Sequence, residues 1–85
     1  MNIDEVKRTV SSGNEAADQG RETLERGATE ALDAAMIAKR ATYDSGHHDV
    51  VQADKKLEEL KSELERTVRR FEAAIKSAGQ YAAGL

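Results

Sequence analysis

Residues 43–49 read Tyr-Asp-Ser-Gly-His-His-Asp and separate two long stretches that both favour helix. This segment contains the only strong turn cluster in the sequence. Gly46 can adopt the left-handed conformation that ends a helix, and Asp49, with Gln52 three residues later, can cap the next helix. The chain contains no proline, so nothing else in it forbids a long helix. We therefore expect one chain reversal, between Tyr43 and Asp49.

A heptad pattern of small and apolar residues runs from Ile3 to this turn. Asn2, followed three residues later by Glu5, is a helix-start signal. We label the two repeating positions a and d, and the pattern predicts a helix over about 3–44. Position a is occupied by Ile3, Val10, Ala17, Leu24, Ala31 and Ala38, and position d by Val6, Gly13, Gly20, Gly27, Ala34 and Ala41.

A second heptad pattern follows the turn and predicts a helix over about 49–83, with the turn itself at about 45–48. Its position a is occupied by Val50, Leu57, Leu64, Phe71, Ala78 and Leu85, and its position d by Ala53, Leu60, Thr67, Ala74 and Tyr81. The sequence therefore predicts an all-α, single-domain, antiparallel two-helix hairpin of coiled-coil type, roughly 60 Å long at ~1.5 Å per residue. The alternative is three helices, with a break near Gly13 or Gly20.

Three glycines recur at position d, and Ala34 and Ala41 continue the series. A glycine inside a helix costs about 1 kcal/mol relative to alanine, so a packing benefit is expected in return. A hairpin that folds back at residues 45 and 46 sets small residues against large ones across the seam. That register pairs Gly27 with Leu64, Gly20 with Phe71, Ala34 with Leu57 and Leu24 with Thr67; a register one heptad further along is the alternative. We interpret Gly13, Gly20, Gly27, Ala34 and Ala41 as a helix-packing stripe, although a groove for another protein's helix would use the same residues.

Several apolar residues fall outside the a and d positions, and a two-helix seam cannot cover them all. Val68 and Ile75 share heptad position e, one heptad apart. We expect them to form an interface that turns the hairpin into a four-helix-bundle homodimer. The other interface candidates are Leu32, Met36 and Ile37.

Composition argues against most other functions. The chain has 85 residues, a net charge of −3 and no cysteine, and its pI is about 5.4. That charge argues against nucleic acid as the main partner. No apolar run approaches the ~20 residues that span a bilayer. His47 and His48 lack a third ligand at metal-site spacing, and no catalytic constellation is visible, so we expect no enzyme, no metal and no cofactor.

The layout resembles the small WXG-type helical-hairpin proteins linked to type VII secretion, and also small actinobacterial hairpin proteins. The similarity lies in the chain length, the hairpin, the aromatic-and-glycine turn and a tyrosine near the C-terminus. Tyr43-Asp44-Ser45-Gly46 stands where that family has Trp-x-Gly. The family's export signal places an acid four residues after a tyrosine, whereas here Tyr81 is followed by Ala-Ala-Gly-Leu. The resemblance thus implies signal-independent secretion, the missing acid argues against it, and we expect a cytoplasmic protein.

Two functions follow as hypotheses. The first is a non-catalytic protein–protein interaction module, an accessory or partner of a secreted or toxin-like protein. The alternative is a structural or regulatory homodimer that assembles only with itself and has no role in export.

Overall fold

The structure, a computed structural model, describes residues 2–43 and 45–85. These residues form two α-helices, α1 (Ile3–Ala41) and α2 (His48–Ala83), and no strand. The helices pack against each other along a body 63 Å long and 15 Å by 14 Å across. The predicted all-α hairpin is confirmed. The three-helix alternative is wrong, because α1 continues through Gly13 and Gly20.

Both ends of α1 are capped by polar side chains. The Asn2 side chain accepts a hydrogen bond from the Glu5 backbone N–H at 2.8 Å, as the start signal predicts. At the other end, the backbone N–H and the hydroxyl of Thr42 both donate to the Ala38 carbonyl, at 3.0 Å and 2.6 Å. The backbone leaves the helical conformation at Thr42, so the helix ends at Ala41, three residues before the expected boundary.

The residue that caps the N-terminus of α2 is not the one expected. The N-cap is His47 and not Asp49: the His47 imidazole Nδ1 accepts from the Asp49 backbone N–H at 3.2 Å. Asp49 therefore lies inside the first turn, where its negative charge interacts favourably with the helix dipole. Gly46 does not take the left-handed conformation expected of a helix-ending glycine. Asp44 lies outside the described residues.

The register of the two helices is visible in four contacts. A Cβ built on Gly20 would lie 3.2 Å from Phe71 Cε1, and one built on Gly27 would lie 3.9 Å from Leu64 Cδ1. Nearer the termini, the Asn14 side-chain amide donates to the Ile75 carbonyl at 3.2 Å. Nearer the turn, Lys39 Nζ lies 2.9 Å from Glu58 Oε1. Residue numbers rise along α1 as they fall along α2, so the helices are antiparallel and in the register that pairs Gly20 with Phe71.

Position a lies in the seam between the helices, but position d does not complete it. The residues one place later, at position e, face the other helix instead. The three buried residues among those described, Ala28, Ala35 and Val68, belong to this position e series. From Asn14 onward the position e residues are all buried or partly buried, whereas Lys7, the first of the series, is exposed. They are Asn14, Arg21, Ala28 and Ala35 on α1, Thr42 at its C-cap, and Asp54, Lys61, Val68, Ile75 and Ala82 on α2.

The choice between d and e follows from what each would bury in the C-terminal half of α2. Position e offers Val68 and Ile75 there, whereas position d offers Thr67 and Ala74, so rotating α2 toward e buries more apolar surface. The same rotation has a cost near the turn. Leu60 stays 45% exposed while its neighbour Lys61 is partly buried, and Lys61 pairs with Glu65 at 3.4 Å.

The core of the hairpin is thin. Only Ala28, Ala35 and Val68 fall in the buried class among the described residues, at 9%, 5% and 7% exposure. Two of the three are alanines, which contribute little apolar surface each. A chain of this size with so little buried surface is expected to be marginal as an isolated molecule.

Candidate interaction surfaces

The residues at position d, displaced from the seam, form one continuous side of the hairpin that we call the uncharged face. Phe71 joins the two helical lines that form it. Gly20 lies against the Phe71 ring, and a shallow, mostly apolar groove brings Ala17 of α1 beside Thr67, Arg70 and Ala74 of α2. Because heptad spacing keeps the members of each series on one line, the rest of both series follows this side. We define the face from Gly13 onward, beyond the partly buried Val6: it consists of Gly13, Gly20, Gly27, Ala34 and Ala41 on α1, and Ala53, Leu60, Thr67, Ala74 and Tyr81 on α2.

No residue of the uncharged face is buried by the hairpin. Gly20, Gly27 and Thr67 are partly buried, and the other seven are exposed. Leu60 and Tyr81 project the only large side chains of the face, at 45% and 61% exposure. The Thr67 hydroxyl donates to the Glu63 carbonyl at 2.9 Å, so this polar group is already satisfied within its own helix. The surface is therefore mostly small and apolar.

The opposite side of the hairpin, which we call the charged face, has a different character. Glu25 of α1 and Glu65 and Arg69 of α2 line a groove over Val68. Lys39 and Glu58 belong to the same helical lines, fourteen residues after Glu25 and seven before Glu65. Their ion pair bridges the two helices.

Ion pairing shifts the pKa values of three side chains on or beside the charged face. The hydrogen bond and charge of Lys39 lower the pKa of the Glu58 carboxyl below its ordinary value, and Glu58 raises the pKa of the Lys39 ammonium in return. Closer to the termini, hydrogen bonds from Arg21 to Asp18 and Glu25 raise the pKa of the Arg21 guanidinium. Apart from the partly buried Arg21, these groups are exposed, so salt screens their interactions and they contribute little to folding.

Four exposed apolar side chains near the turn form a second apolar surface, the turn-end patch: Leu32, Met36, Tyr43 and Val51, at 40%, 45%, 82% and 52% exposure. Leu32 lies midway between Glu25 and Lys39 in heptad spacing, and Val51 lies one heptad before Glu58. The patch is thus on the charged face, interrupted by the Lys39–Glu58 ion pair. Its interruption makes it a smaller and less uniform surface than the uncharged face.

The structure corrects the expected interface at Val68 and Ile75. Val68 is 7% exposed between the helices, so it is not accessible to another protein. Ile75 is partly buried in the same seam, where its carbonyl accepts from Asn14. Both were expected outside because position d was expected inside. A comparison of side-chain size between positions d and e over residues 67–75 would have indicated the other choice.

The remaining interface candidates are exposed. Leu32 and Met36 belong to the turn-end patch, and Ile37 is 64% exposed. Ile37 lies three residues after Ala34 and four before Ala41, so it borders the uncharged face. Leu60 was expected in the seam, and its exposure is the feature that the sequence interpretation missed.

Only part of the helix-packing stripe contacts the opposite helix. Gly20 and Gly27 contact side chains of α2, whereas a Cβ on Gly13 would meet nothing within 4 Å. Ala34 and Ala41 are exposed and take no part in the seam. The stripe is therefore a close-packed element only around Gly20 and Gly27, and open surface elsewhere.

His47 and His48 are both exposed, and His47 is engaged as the cap of α2. Its Nδ1 also lies 3.8 Å from Asp49 Oδ2. Within residues 2–43 and 45–85, no three histidine, cysteine, aspartate or glutamate side chains are grouped so that they could hold a metal ion. In the same residues, neither helix has an apolar stretch of the length that crossing a lipid bilayer requires.

Comparison with protein-family models, with curated proteins and with solved structures finds no match to this chain. The resemblance to WXG-type hairpin proteins therefore stays a prediction, and the surfaces themselves carry the functional argument.

Proposed function

We propose that this protein is a non-catalytic protein–protein interaction module that packs a helical partner along its uncharged face. One observation carries the proposal: ten heptad positions that line one side of the hairpin hold no charge, although 34% of the residues in the chain are charged. The solvent side of an amphipathic helix ordinarily carries charged residues. The centre of a protein interface is depleted of them.

The shape of the side chains on this face also suits a helical partner. Gly13, Ala34 and Ala41 have little or no side chain, so another backbone can approach α1 closely. Leu60 and Tyr81 supply the projecting apolar groups that such a partner would cover. Leu60 is 45% exposed, so covering the rest of it would contribute roughly 1 kcal/mol to association.

The nature of the partner is the second part of the proposal. The resemblance to WXG-type hairpin proteins favours a secreted or toxin-like protein that this chain accompanies as an accessory. The alternative is assembly of the chain with itself alone, which the thin core favours.

A pair of matched variants tests the surface. Ala74 belongs to the uncharged face, whereas its neighbour Ala73 is exposed and points away from it, one residue or about 100° around the helix. Ala74→Arg and Ala73→Arg change helix propensity and net charge equally. Tagged wild type, Ala74→Arg and Ala73→Arg would be used to capture proteins from the native cell for identification by mass spectrometry.

The expected result is a partner retained by wild type and Ala73→Arg and lost by Ala74→Arg, with equal helicity by circular dichroism. Equal capture by both variants would contradict the role of the uncharged face. A fully helical protein that captures nothing and stays a stable monomer would contradict the proposal as a whole.

A further inference from the structure

We propose that the uncharged face is covered by the uncharged face of a second copy of this chain, with α1 of each copy against α2 of the other. The inference rests on the proposed function, since it assigns a partner to the same surface. It replaces the dimer through Val68 and Ile75, which the seam of a single hairpin already buries.

The area of the face is sufficient. The hairpin is 63 Å long and about 15 Å wide, so one whole side, the uncharged face together with the residues that flank it, offers on the order of 900 Å² per copy, whereas a standard stable interface buries about 800 Å² per partner. The turn-end patch covers only a fraction of that length and is crossed by an ion pair. Among the two apolar surfaces, only the uncharged face is large enough for a stable dimer.

The two lines of the face also complement each other in size. Leu64 lies beside Gly27 and the helices are antiparallel, so Leu60 is level with the gap between Gly27 and Ala34. Phe71 lies beside Gly20, so by the same reasoning Tyr81 is level with the stretch between Val6 and Gly13.

A two-fold axis parallel to the hairpin would place α2 of one copy over α1 of the other at the same level. Leu60 of each copy would then enter the space between Gly27 and Ala34 of the other, and Tyr81 would lie over the residues before Gly13. Because the axis is two-fold, each contact occurs twice and the assembly closes as a dimer.

Because the ten residues of the uncharged face carry no charge, the face can be buried against a second copy without leaving an unpaired charge in the interface. A charged side chain on either face would be buried against the other copy, and unless it found a partner there it would oppose association. The resulting four-helix bundle would also bury Leu60 and Tyr81, the apolar side chains that a single hairpin leaves exposed.

Sedimentation velocity on the untagged 9.3 kDa protein tests the proposal. We expect wild type and Ala73→Arg to sediment at twice the chain mass. Ala74→Arg should raise the dimer dissociation constant at least about tenfold, because it places an unpaired charge in the interface. Leu60→Glu is a second variant at an exposed position and should have the same effect, which covers the case in which Ala74→Arg does not fold.

Cross-linking tests the arrangement, since the chain has no cysteine of its own. Ala34→Cys and Ala53→Cys chains would be mixed and treated with a short bismaleimide reagent. We expect the mixed Ala34–Ala53 product to form faster than the product of two Ala34→Cys chains, because α1 faces α2 of the other copy. Preferential linkage of two Ala34→Cys chains would overturn this arrangement.

The other outcomes separate this inference from the proposed function. A wild type that is monomeric and fully helical, and whose captured partner is lost in Ala74→Arg, would overturn the homodimer and leave the interaction module in place. A wild-type dimer unchanged by Ala74→Arg and by Leu60→Glu would overturn both, since association would then use another surface.

Discussion

The Phe71 ring lies across Gly20 so closely that a Cβ on the glycine would be 3.2 Å from Cε1 of the ring. A Cβ at that distance from the ring would be closer than in ordinary van der Waals packing. The contact joins the middle of α1 to the C-terminal half of α2, and it is the closest approach that any of the three heptad glycines makes to the opposite helix. Gly27 makes an ordinary contact with Leu64, and Gly13 makes none.

These three environments predict different responses to alanine. At Gly13 the methyl group meets open space, so Gly13→Ala should stabilise by about 1 kcal/mol through helix propensity alone. Gly27→Ala should gain nearly as much, because its Cβ would lie 3.9 Å from Leu64. At Gly20 the same gain is offset by displacement of Phe71, an overpacking cost of about 1–3 kcal/mol, so Gly20→Ala should be neutral or destabilising. Thermal unfolding at one fixed protein concentration measures the series.

Phe71→Leu provides the control for that series. Replacing the ring removes the close contact, so Gly20→Ala should become stabilising in the Phe71→Leu background. Gains of the same size at Gly13 and Gly20 in the wild-type background would contradict the close packing of Gly20.

The seam also contains a carboxylate that the fold does not satisfy. Oδ1 of Asp54 is buried without a hydrogen-bond partner. Asp54→Ala should therefore stabilise by more than the ~0.6 kcal/mol expected from helix propensity alone. Asp33→Ala is the matched control, since Asp33 is exposed within α1. Chemical unfolding followed by circular dichroism gives both values; a gain at Asp54 no larger than at Asp33 would contradict the cost assigned to this oxygen.

The two histidines of the turn should not be equivalent. The His47 imidazole accepts a hydrogen bond from the Asp49 N–H, whereas His48 lies exposed in the first turn of α2. His47→Ala should lower the free energy of unfolding by about 0.5–2 kcal/mol, at the lower end for so exposed a cap. His47→Asn should restore the loss, because asparagine is a preferred cap. His48→Ala is the control and should leave the melting temperature unchanged; equal effects at the two positions would show that the cap contributes nothing.

The ion pair of Lys39 and Glu58 predicts a pH effect of known sign. Because Lys39 lowers the pKa of the Glu58 carboxyl, the favourable interaction is present at neutral pH and is lost as the pH falls through that lowered pKa. Lys39→Met should raise the midpoint of the Glu58 titration, followed by the NMR shift of the side-chain carboxyl carbon. High salt should have the same effect in the wild type, since both groups are exposed.

Lys7→Met is the control for that titration, as it removes one lysine from α1 far from Glu58. It should leave the Glu58 midpoint in place. A Glu58 titration insensitive to Lys39→Met would mean that the 2.9 Å contact is not maintained in solution.

Much of the fold can be predicted from local features of the sequence. Without proline, and with apolar residues at heptad spacing on both sides of one turn cluster, the chain has few alternatives to two long helices. The Asn2 cap is equally local, because it depends on Asn2 and Glu5 alone. The pairing of Gly20 with Phe71 could also be predicted. Aligning the two heptad series so that large residues face small ones gives this register, and it does not depend on any single contact.

The helices, the turn and the position a half of the seam follow from local sequence patterns, whereas the choice between positions d and e depends on how the two helices pack. Because position a stays in the seam in both cases, the two choices differ by a rotation of only about 50° of each helix about its own axis, and neither heptad pattern excludes either one. The decision depends on the apolar surface that both helices bury together along their whole length. Burying Val68 and Ile75 in one half of α2 therefore exposes Leu60 in the other. That single rotation removes Val68 from the surface and turns the glycine-bearing series of α1 into part of an uncharged face.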